Sequence, residues 1–243
     1  MSTAAMIFAA GLGTRLYPLT ADKPKALVEV EGTPLLAWAI QKVIQVGITR
    51  IVVNVHHYGE QIIHYLQTHP FEAEILVSDE RDYLRDTGGG FKWAAPLLQG
   101  VDHILLYNTD VISSIDLQAM FDFHIRQHAL ATLAVRNRPT QRYFIFDPRS
   151  MLLRGWINKK TLEQKMICPV KKPVELAFSG IHWVKQELLS LISDDRKQSL
   201  TDIYLYLAAR YSIQGYLHQE DEWADMGKPE SLAAFRGCSY QKS

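Results

Sequence analysis

Hydrophobic and polar positions in the first half of the chain alternate between short apolar runs and segments of helical spacing. Residues 4–10 form an apolar run ended by a glycine, which is typical of a buried parallel strand. Residues 34–46 carry apolar side chains at helical spacing and are closed by Gly47. The same pattern predicts strands at 51–55, 73–77 and 104–107 and helices at 60–66 and 91–98. This alternation predicts an α/β fold with a Rossmann-like, open and mostly parallel sheet covered by helices on both faces.

The second half of the chain is less regular and predicts an antiparallel addition to that sheet. Its predicted strands are less neatly separated by helices, which favours a mixed sheet. The predicted strands lie at 131–135, 143–146, 176–183 and 213–217, and the predicted helices at 198–210 and 229–235. Neither a Ser/Gly/Pro-rich linker nor an internal repeat is found in the sequence. We therefore expect a single domain over residues 1–243, with ligands bound at the carboxyl ends of its strands.

Composition and charge exclude several classes of protein. The chain has 243 residues, of which 47% are hydrophobic, so it can bury a sizeable core. Lys plus Arg and Asp plus Glu each number 26, so net charge gives no attraction to nucleic acid or to an anionic membrane. Cys168 and Cys238 form no zinc or redox motif, and no apolar window is long enough to span a membrane. These features predict a cytoplasmic protein without nucleic-acid or membrane partners.

A glycine-containing loop follows the first predicted strand and carries candidate phosphate-binding residues. Glycines at positions 11 and 13 let the backbone approach a phosphate and direct N–H groups towards it. A dinucleotide-binding loop would need a third glycine where Leu16 stands, and the Gly-Lys-Ser/Thr of a Walker loop is absent. Arg15 and Lys25 follow, and this pair of cations suits a triphosphate. Taken alone, the loop could equally be a plain turn with two solvated cations.

The stretch from Phe8 to Thr20, FAAGLGTRLYPLT, together with Lys-Pro-Lys at 23–25, resembles the signature of the sugar-1-phosphate nucleotidylyltransferases. About ten positions agree at fixed spacing, which chance does not explain. The resemblance extends over nearly the whole chain through DTGGG at 86–90, NTD at 108–110, FSG at 178–180 and WADMG at 223–227. Within the family the chain is similar to short bacterial members of the muramate type, which use UTP, and of the heptose type, which use GTP.

The resemblance implies transfer of a nucleotidyl group from an NTP to a sugar-1-phosphate, with pyrophosphate as the second product. It implies Arg15 and Lys25 as catalytic residues, and Mg²⁺ as a cofactor held by Asp110 and Asp225. Asp110 also follows a predicted apolar strand, where α/β sheets present their chemistry. The nucleotide-binding residues that it implies are Ala10, Gly11, Gly13, Thr14, Arg15, Thr87 and Gly88. The implied sugar-phosphate residues are Ser179 and Gly180.

Three motifs can be explained either by a functional role or by a purely structural one. Residues 87–90 could be a capped, flexible turn before the helix or a backbone surface for a nucleobase. Ser179 and Gly180 could be a strand with a bulge or could line the sugar-phosphate pocket. The Glu-Lys pair that often precedes them in the family is replaced here by KKPVE at 171–175, which leaves the sugar contacts open. His124 and His128 have helical spacing without a catalytic Glu between them, so we expect a solvated helix face.

Two other functions remain as alternatives to nucleotidyl transfer. A non-catalytic nucleotide or sugar-nucleotide sensor of the same fold would be expected to lack a cation or a carboxylate, yet Arg15, Lys25, Asp110 and Asp225 are all present. A nicotinamide-dependent oxidoreductase fits less well because the third glycine is missing. For the nucleotidyl donor we expect UTP first and GTP second, because three consecutive glycines at 88–90 resemble the muramate-type enzymes. The sugar, the pathway and the oligomeric state stay open.

Overall fold

A computed structural model describes residues 1–235 of the chain. Its strands are β1 Thr3–Phe8, β2 Glu29–Val30, β3 Thr33–Pro34, β4 Arg50–Val55, β5 Glu74–Asp79, β6 His103–Asn108, β7 Val111–Ser113, β8 Ala131–Arg136, β9 Arg142–Phe146, β10 Leu153–Asn158, β11 Glu163–Met166, β12 Val174–Lys185, β13 Ile213–Leu217 and β14 Trp223–Asp225. Its α-helices are α1 Leu35–Ile44, α2 Gly59–Thr68, α3 Asp86–Trp93, α4 Leu117–Arg126, α5 Leu188–Leu191, α6 Leu200–Leu207 and α7 Pro229–Ala234.

A ten-stranded sheet forms the centre of the molecule and confirms the predicted α/β architecture. Strands β5, β4, β1 and β6 are neighbours in that order and run parallel. The long strand β12 pairs antiparallel with β6, β8 and β9, and the antiparallel strands β10 and β11 continue from β9. The first part of the chain forms the parallel half, and the second part adds the antiparallel strands together with β13, which pairs parallel with β8. The second part is therefore mixed, as the sequence pattern predicts.

Side chains of the central strands alternate between two hydrophobic cores, one on each face of the sheet. Met6 of β1 packs in one core with Phe91 of α3 and Tyr204 of α6. Its neighbour Ile7 packs in the other core with residues of α1, α2 and α4, such as Ile40. Because successive side chains of a strand point to opposite faces, a strand buried on both sides must be apolar throughout. This explains the continuous apolar run from which β1 was predicted.

The helix before β6 begins earlier than the sequence predicts. The prediction began the helix at residue 91 and left residues 87–90 ahead of it, whereas α3 begins at Asp86 and the residues from Ala95 to Leu98 form a separate 3₁₀ helix. The prediction was wrong because glycine has a low helix propensity, about 1 kcal/mol below alanine. Here the glycines are buried against other segments, and this packing outweighs that propensity.

The predicted solvated helix face is wrong for His124, although His128 is exposed as expected. His124 is fully buried in α4, and its Nδ1 lies 2.8 Å from Thr132 Oγ1. Its Nε2 lies 3.2 Å from His103 Nδ1, so the ring bridges α4 and two strands. Burial lowers the pKa of His124 to about 3, so the imidazole is neutral at physiological pH. His128 lies beyond the end of α4 and is exposed. The histidine pair therefore holds no common ligand.

The sequence also predicted that the chain has no membrane-spanning segment and no cysteine motif. No helix within residues 1–235 has the length and apolar character required to cross a bilayer. Cys168 is a free, half-buried thiol in this part of the chain. Cys238 lies outside the described residues.

Candidate functional site

The loop after β1 offers a row of backbone donors. Asn54 Oδ1, at the end of β4, accepts hydrogen bonds from the N–H groups of Ala9 at 2.8 Å and Ala10 at 3.3 Å, which fixes the start of the loop. Gly13 has a φ of +67°, and its carbonyl accepts from Leu16 N and from the Thr20 hydroxyl. Among residues 1–235, no acceptor is found for the N–H groups of residues 11–15. These N–H groups are available to an anionic ligand.

A cavity of about 390 Å³, here called the first cavity, opens beside this loop at the carboxyl ends of β1, β4 and β6. Ala10 and Gly11, two of the expected nucleotide-binding residues, line it, and so does Lys25, an expected catalytic residue. Gly13, Thr14 and Arg15, which were also expected to bind the nucleotide, do not line it, because the backbone turns away into a 3₁₀ helix at Thr14. Its remaining wall is formed by Phe8, Ala9, Ala26, Asn54, Glu80, Leu84, Asp86, Thr87, Asn108, Thr109, Asp110 and Lys197.

Lys25 and Asp110 form an ion pair on the wall of the first cavity. Lys25 begins a short 3₁₀ helix, and Asp110 lies directly beyond the end of β6. Lys25 Nζ donates to Asp110 Oδ2, and only 15% and 16% of the two side chains are exposed. Partial burial keeps both charges from full hydration, so each is held in place by the other.

Asp225 and Arg15 lie next to this pair. Strand β14 pairs antiparallel with β7, which places Asp225 opposite Val111, and Met226 N donates to Asp110 O at 2.8 Å. Arg15 Nη2 lies 3.8 Å from Asp110 Oδ2, and its Nη1 lies 4.0 Å from Asp225 Oδ2. The Arg15 side chain is 58% exposed, so it can move towards a ligand. The structure thus brings together the four charged residues that the sequence analysis singled out.

The two carboxylates face a common space that glycine keeps open. A Cβ atom on Gly227 would lie 2.7 Å from Asp225 Oδ1, 2.8 Å from Arg15 Nη2 and 2.9 Å from Asp110 Oδ2. A side chain at position 227 would therefore displace these charged groups from the positions they hold here. Magnesium is bound in proteins by one or two carboxylates together with substrate phosphates and water. Within residues 1–235 no third histidine, cysteine or acidic side chain joins the two carboxylates in a cluster. The residues present therefore fit a magnesium ion that is shared with a phosphate ligand.

Two buried polar residues at the first cavity were missed by the sequence analysis. Asn54 Nδ2 donates to Glu80 Oε1 at 2.7 Å, and Glu80 follows β5. Burial raises the pKa of the Glu80 carboxyl, while the hydrogen bond from Asn54 acts in the opposite direction. Both residues lie at the carboxyl ends of strands, so the rule that identified Asp110 could have identified them.

The expected nucleobase surface at 87–90 needs correction. Gly88 N and Gly89 N donate to Gln198 O at 2.9 and 3.3 Å, so these donors are already engaged within the protein. The Thr87 hydroxyl accepts from Leu200 N at 3.0 Å, although Thr87 still lines the first cavity. Gly88 does not line it. The first turn of α3 therefore packs against the chain before α6 instead of presenting its backbone to a ligand.

Replacing Gly89 with alanine should destabilise the fold by about 1–2 kcal/mol. The added Cβ would lie 2.4 Å from Arg196 O and 2.7 Å from Asp195 O, so a backbone segment would have to move. Such overpacking costs about 1–3 kcal/mol, whereas the gain in helix propensity is at most about 1 kcal/mol. Urea unfolding measures the difference. The control is Gly11→Ala, whose Cβ meets nothing within 4 Å. Equal stability of the two variants would contradict this packing.

Ser179 and Gly180 do not line the first cavity, and their surroundings do not match the expected sugar-phosphate contact. Ser179 is fully buried, and its Oγ lies 2.8 Å from His218 Nε2. Its carbonyl accepts from Trp223 Nε1 at 2.9 Å. Gly180 has a φ of +80°, and a Cβ there would lie 2.8 Å from Val111 Cγ2. The irregular pairing of β12 with β8 between Phe178 and His182 turns these residues inwards, towards β7 and β14.

A second cavity of about 420 Å³ adjoins the first. The two cavities share Asp86, Thr87 and Asn108. The second cavity has aromatic walls from the antiparallel half of the sheet and from α6, and charged side chains at its rim. Its aromatic residues are Phe144, Trp156, Phe178 and Tyr204, and its charged ones are Asp86, Arg142, Glu163, Lys165 and Asp202. Apolar rings with polar groups around them are the usual surroundings of a sugar ring or a small organic ligand.

Comparisons with known proteins agree with this architecture. Residues 4–236 match the nucleotidyl transferase family. The N-acetylmuramate α-1-phosphate uridylyltransferase of Caulobacter vibrioides is 30% identical, over 95% of this chain and 94% of the relative. The mannose-1-phosphate guanyltransferase of Yarrowia lipolytica is also 30% identical, over 98% of this chain and 64% of the relative.

Solved structures show the same fold. The UDP-glucose pyrophosphorylase of Acinetobacter baumannii superimposes with a TM-score of 0.80 at 19% identity, over 96% of this chain and 91% of the other. HddC of Yersinia pseudotuberculosis, complexed with GMP-PN, superimposes with a TM-score of 0.74 at 17% identity, over 96% of this chain and 97% of the other.

Proposed function

Because the chain belongs to the nucleotidyl transferase family, we propose that it transfers a nucleotidyl group from an NTP to a sugar-1-phosphate and releases pyrophosphate. The observation that carries this proposal is the convergence of Arg15 and Asp225 on the ion pair of Lys25 and Asp110, which lines the first cavity. Cations and carboxylates in one place are what a polyphosphate with a bound divalent cation requires.

In this proposal the nucleoside and the α-phosphate of the NTP lie in the first cavity, and the outer phosphates extend from it along the loop of residues 11–15. The N–H groups of residues 11–15 bind its phosphates, because they have no acceptor among residues 1–235. Arg15, with its largely exposed guanidinium, takes up charge on the leaving pyrophosphate. Lys25 is held beside the cavity by Asp110 and stabilises the charge that develops on the α-phosphoryl group.

The acceptor is a phosphate dianion and needs no general base. The second pKa of a phosphate monoester is near 6, so the group is largely deprotonated at neutral pH. An oxygen of the acceptor phosphate forms the new bond to the α-phosphorus, and the bond from that phosphorus to the bridging oxygen breaks. Pyrophosphate leaves with the electron pair of that bond. The protein therefore contributes positioning and charge neutralisation, which are the main sources of catalysis in phosphoryl transfer.

Asp110 and Asp225 would hold the magnesium ion, and Gly227 leaves the space for it. When bound, this ion neutralises phosphate charge and helps to orient the phosphates. The acceptor sugar occupies the second cavity, whose shared wall with the first brings the two substrates together. Its aromatic residues suit the apolar face of a sugar ring.

Pyrophosphate release from combinations of four NTPs and a dozen sugar-1-phosphates tests the proposal. We expect release with at least one pair, dependent on both substrates. The Arg15→Ala variant controls for contaminating enzymes and should lose this activity. If the purified protein binds nucleotides but no pair yields pyrophosphate, transfer is overturned in favour of a sensor.

We also propose UTP as the preferred donor, with GTP second. The support is the uridylyltransferase from Caulobacter vibrioides, similar over nearly the whole chain, and the resemblance of DTGGG at 86–90 to muramate-type enzymes. Buried polar groups left unpaired by the wrong base cost about 1–3 kcal/mol each. Equimolar UTP and GTP in one reaction, with the product read by mass spectrometry, decide the preference. A product that is mainly GDP-linked would reverse it.

A further inference from the structure

The segment of residues 193–199, between α5 and α6, carries a lysine to the rim of the first cavity. This segment is attached to the start of α3. Gln198 N donates to Arg85 O at 3.2 Å, and Arg85 Nε donates to Asp195 Oδ2 at 3.3 Å. Gln198 O in turn accepts from Gly88 N and Gly89 N. The lysine, Lys197, therefore stands on a backbone that hydrogen bonds on both sides of it hold in place.

The glycines of α3 explain why the segment can approach so closely. A Cβ on Gly88 would lie 2.4 Å from Ile203 Cδ1 and 3.0 Å from Gln198 O, and one on Gly89 would meet two carbonyls of the segment. A larger residue at position 89 would push segment 193–199 away from α3, and one at position 88 would crowd Ile203 of α6 and Gln198 O. The glycines that resemble a nucleotide-binding motif thus also place Lys197 at the first cavity.

Lys197 is the cation of the first cavity that has no acidic partner within residues 1–235. Lys25 is paired with Asp110, and in the second cavity Lys165 is paired with Asp202 at 2.8 Å. Arg142 is also unpaired in the described chain, but it lines only the second cavity. An unpaired lysine on the wall of a cavity is ready to bind an anion without first breaking an ion pair.

Lys197 lies near the boundary between the two cavities, where the two substrates of the proposed reaction would meet. Lys197 lines the first cavity, whereas Ser199 and Leu200 line the second, so the segment crosses the boundary between them. An acceptor phosphate at this boundary must approach an NTP that is itself strongly negative. Repulsion between two phosphate anions a few ångströms apart has to be offset by a cation close to both.

We propose that Lys197 binds the phosphate group of the acceptor sugar-1-phosphate and brings it to the α-phosphorus. This inference rests on the proposed function, because it assigns a residue to one of the two substrates. In this assignment Arg15 and Lys25 act on the NTP, whereas Lys197 binds the acceptor phosphate. Lys171 and Lys172 line neither cavity, so they do not supply this charge.

Steady-state kinetics of Lys197→Met test the assignment with the best substrate pair of the unmodified protein. We expect the KM for the sugar-1-phosphate to rise about 10- to 100-fold, as for the loss of a hydrogen bond to a charged group. The KM for the NTP should change less than about twofold, because the NTP is bound by other residues. Lys197→Arg keeps the charge and should recover most of the acceptor affinity.

The matched control is Arg196→Met, which removes the neighbouring cation of the same segment. The Arg196 side chain is 84% exposed, pairs with Asp194 and lines neither cavity, so both KM values should stay unchanged. An unaltered acceptor KM in Lys197→Met would overturn the inference, as would an equal rise in both KM values, which indicates a structural role. If the unmodified protein releases no pyrophosphate from any pair, it is the proposed function that fails.

Discussion

Replacement of Lys25 by alanine should lower kcat by about 10²- to 10³-fold, as does the removal of a single electrostatic donor from other active sites. Lys25 Nζ lies at the wall of the first cavity and is held there by Asp110. In the proposed reaction its charge acts most strongly on the α-phosphoryl group in the transition state, so kcat should fall more than the NTP affinity. Initial rates at saturating substrates measure the effect.

The fold should survive this substitution, because Arg15 remains within 3.8 Å of Asp110. Thermal unfolding verifies this. The control is Lys159→Ala: Lys159 also forms an ion pair, with Glu175 at 2.7 Å, but it lines neither cavity. Its turnover should match that of the unmodified protein. Near-native turnover of a folded Lys25→Ala variant would show that Lys25 has no catalytic role.

Asp225→Asn should lower activity and raise the Mg²⁺ concentration for half-maximal rate by about 10- to 100-fold. The loss of metal affinity on mutation of residues that orient metal ligands is of the same size. The asparagine has the same shape, and its Oδ1 can still accept the 2.8 Å hydrogen bond from Gly227 N. Pairing of β14 with β7 uses backbone groups and should persist. The substitution therefore removes one negative charge from the space between the carboxylates and little else.

A magnesium titration of initial rate measures this effect. Asp147→Asn is the control, because Asp147 lies in an exposed turn, accepts backbone N–H groups that asparagine can also accept, and carries the same charge. Its titration should coincide with that of the unmodified protein. An unchanged titration for Asp225→Asn would remove Asp225 from the metal site.

Both predictions concern residues that the sequence analysis identified, but for different reasons. Asp110 follows an apolar strand, and the carboxyl end of such a strand is a general position for functional groups in α/β folds. Asp225 follows no comparable strand, and only the resemblance of WADMG at 223–227 to a known family identified it. Asn54 and Glu80 are at the same edge of the sheet as Asp110. They were missed because their strands were used only to predict the fold.

The sequence alone determined the features that depend on neighbouring residues. Apolar runs predicted β1, β4 and β6, because a strand covered on both faces must be apolar throughout. The edge strand β5 was predicted from a shorter apolar run. Helical spacing gave α1 and α2, and the glycines after β1 predicted a loop with accessible backbone donors. These patterns depend on burial and backbone geometry within a few residues. They can therefore be recognised without knowing which other part of the chain covers the element.

Only the tertiary structure decided which distant segments meet. Pairing of β14 with β7 placed Asp225 beside Asp110, and packing of segment 193–199 on α3 engaged Gly88 and brought a lysine to the first cavity. An irregular strand pairing turned Ser179 away from both cavities. The physical reason is that strand register and helix packing are set by the fit of whole elements, and a shift of one residue reverses the face to which every side chain points. The local pattern of hydrophobic residues does not contain that information.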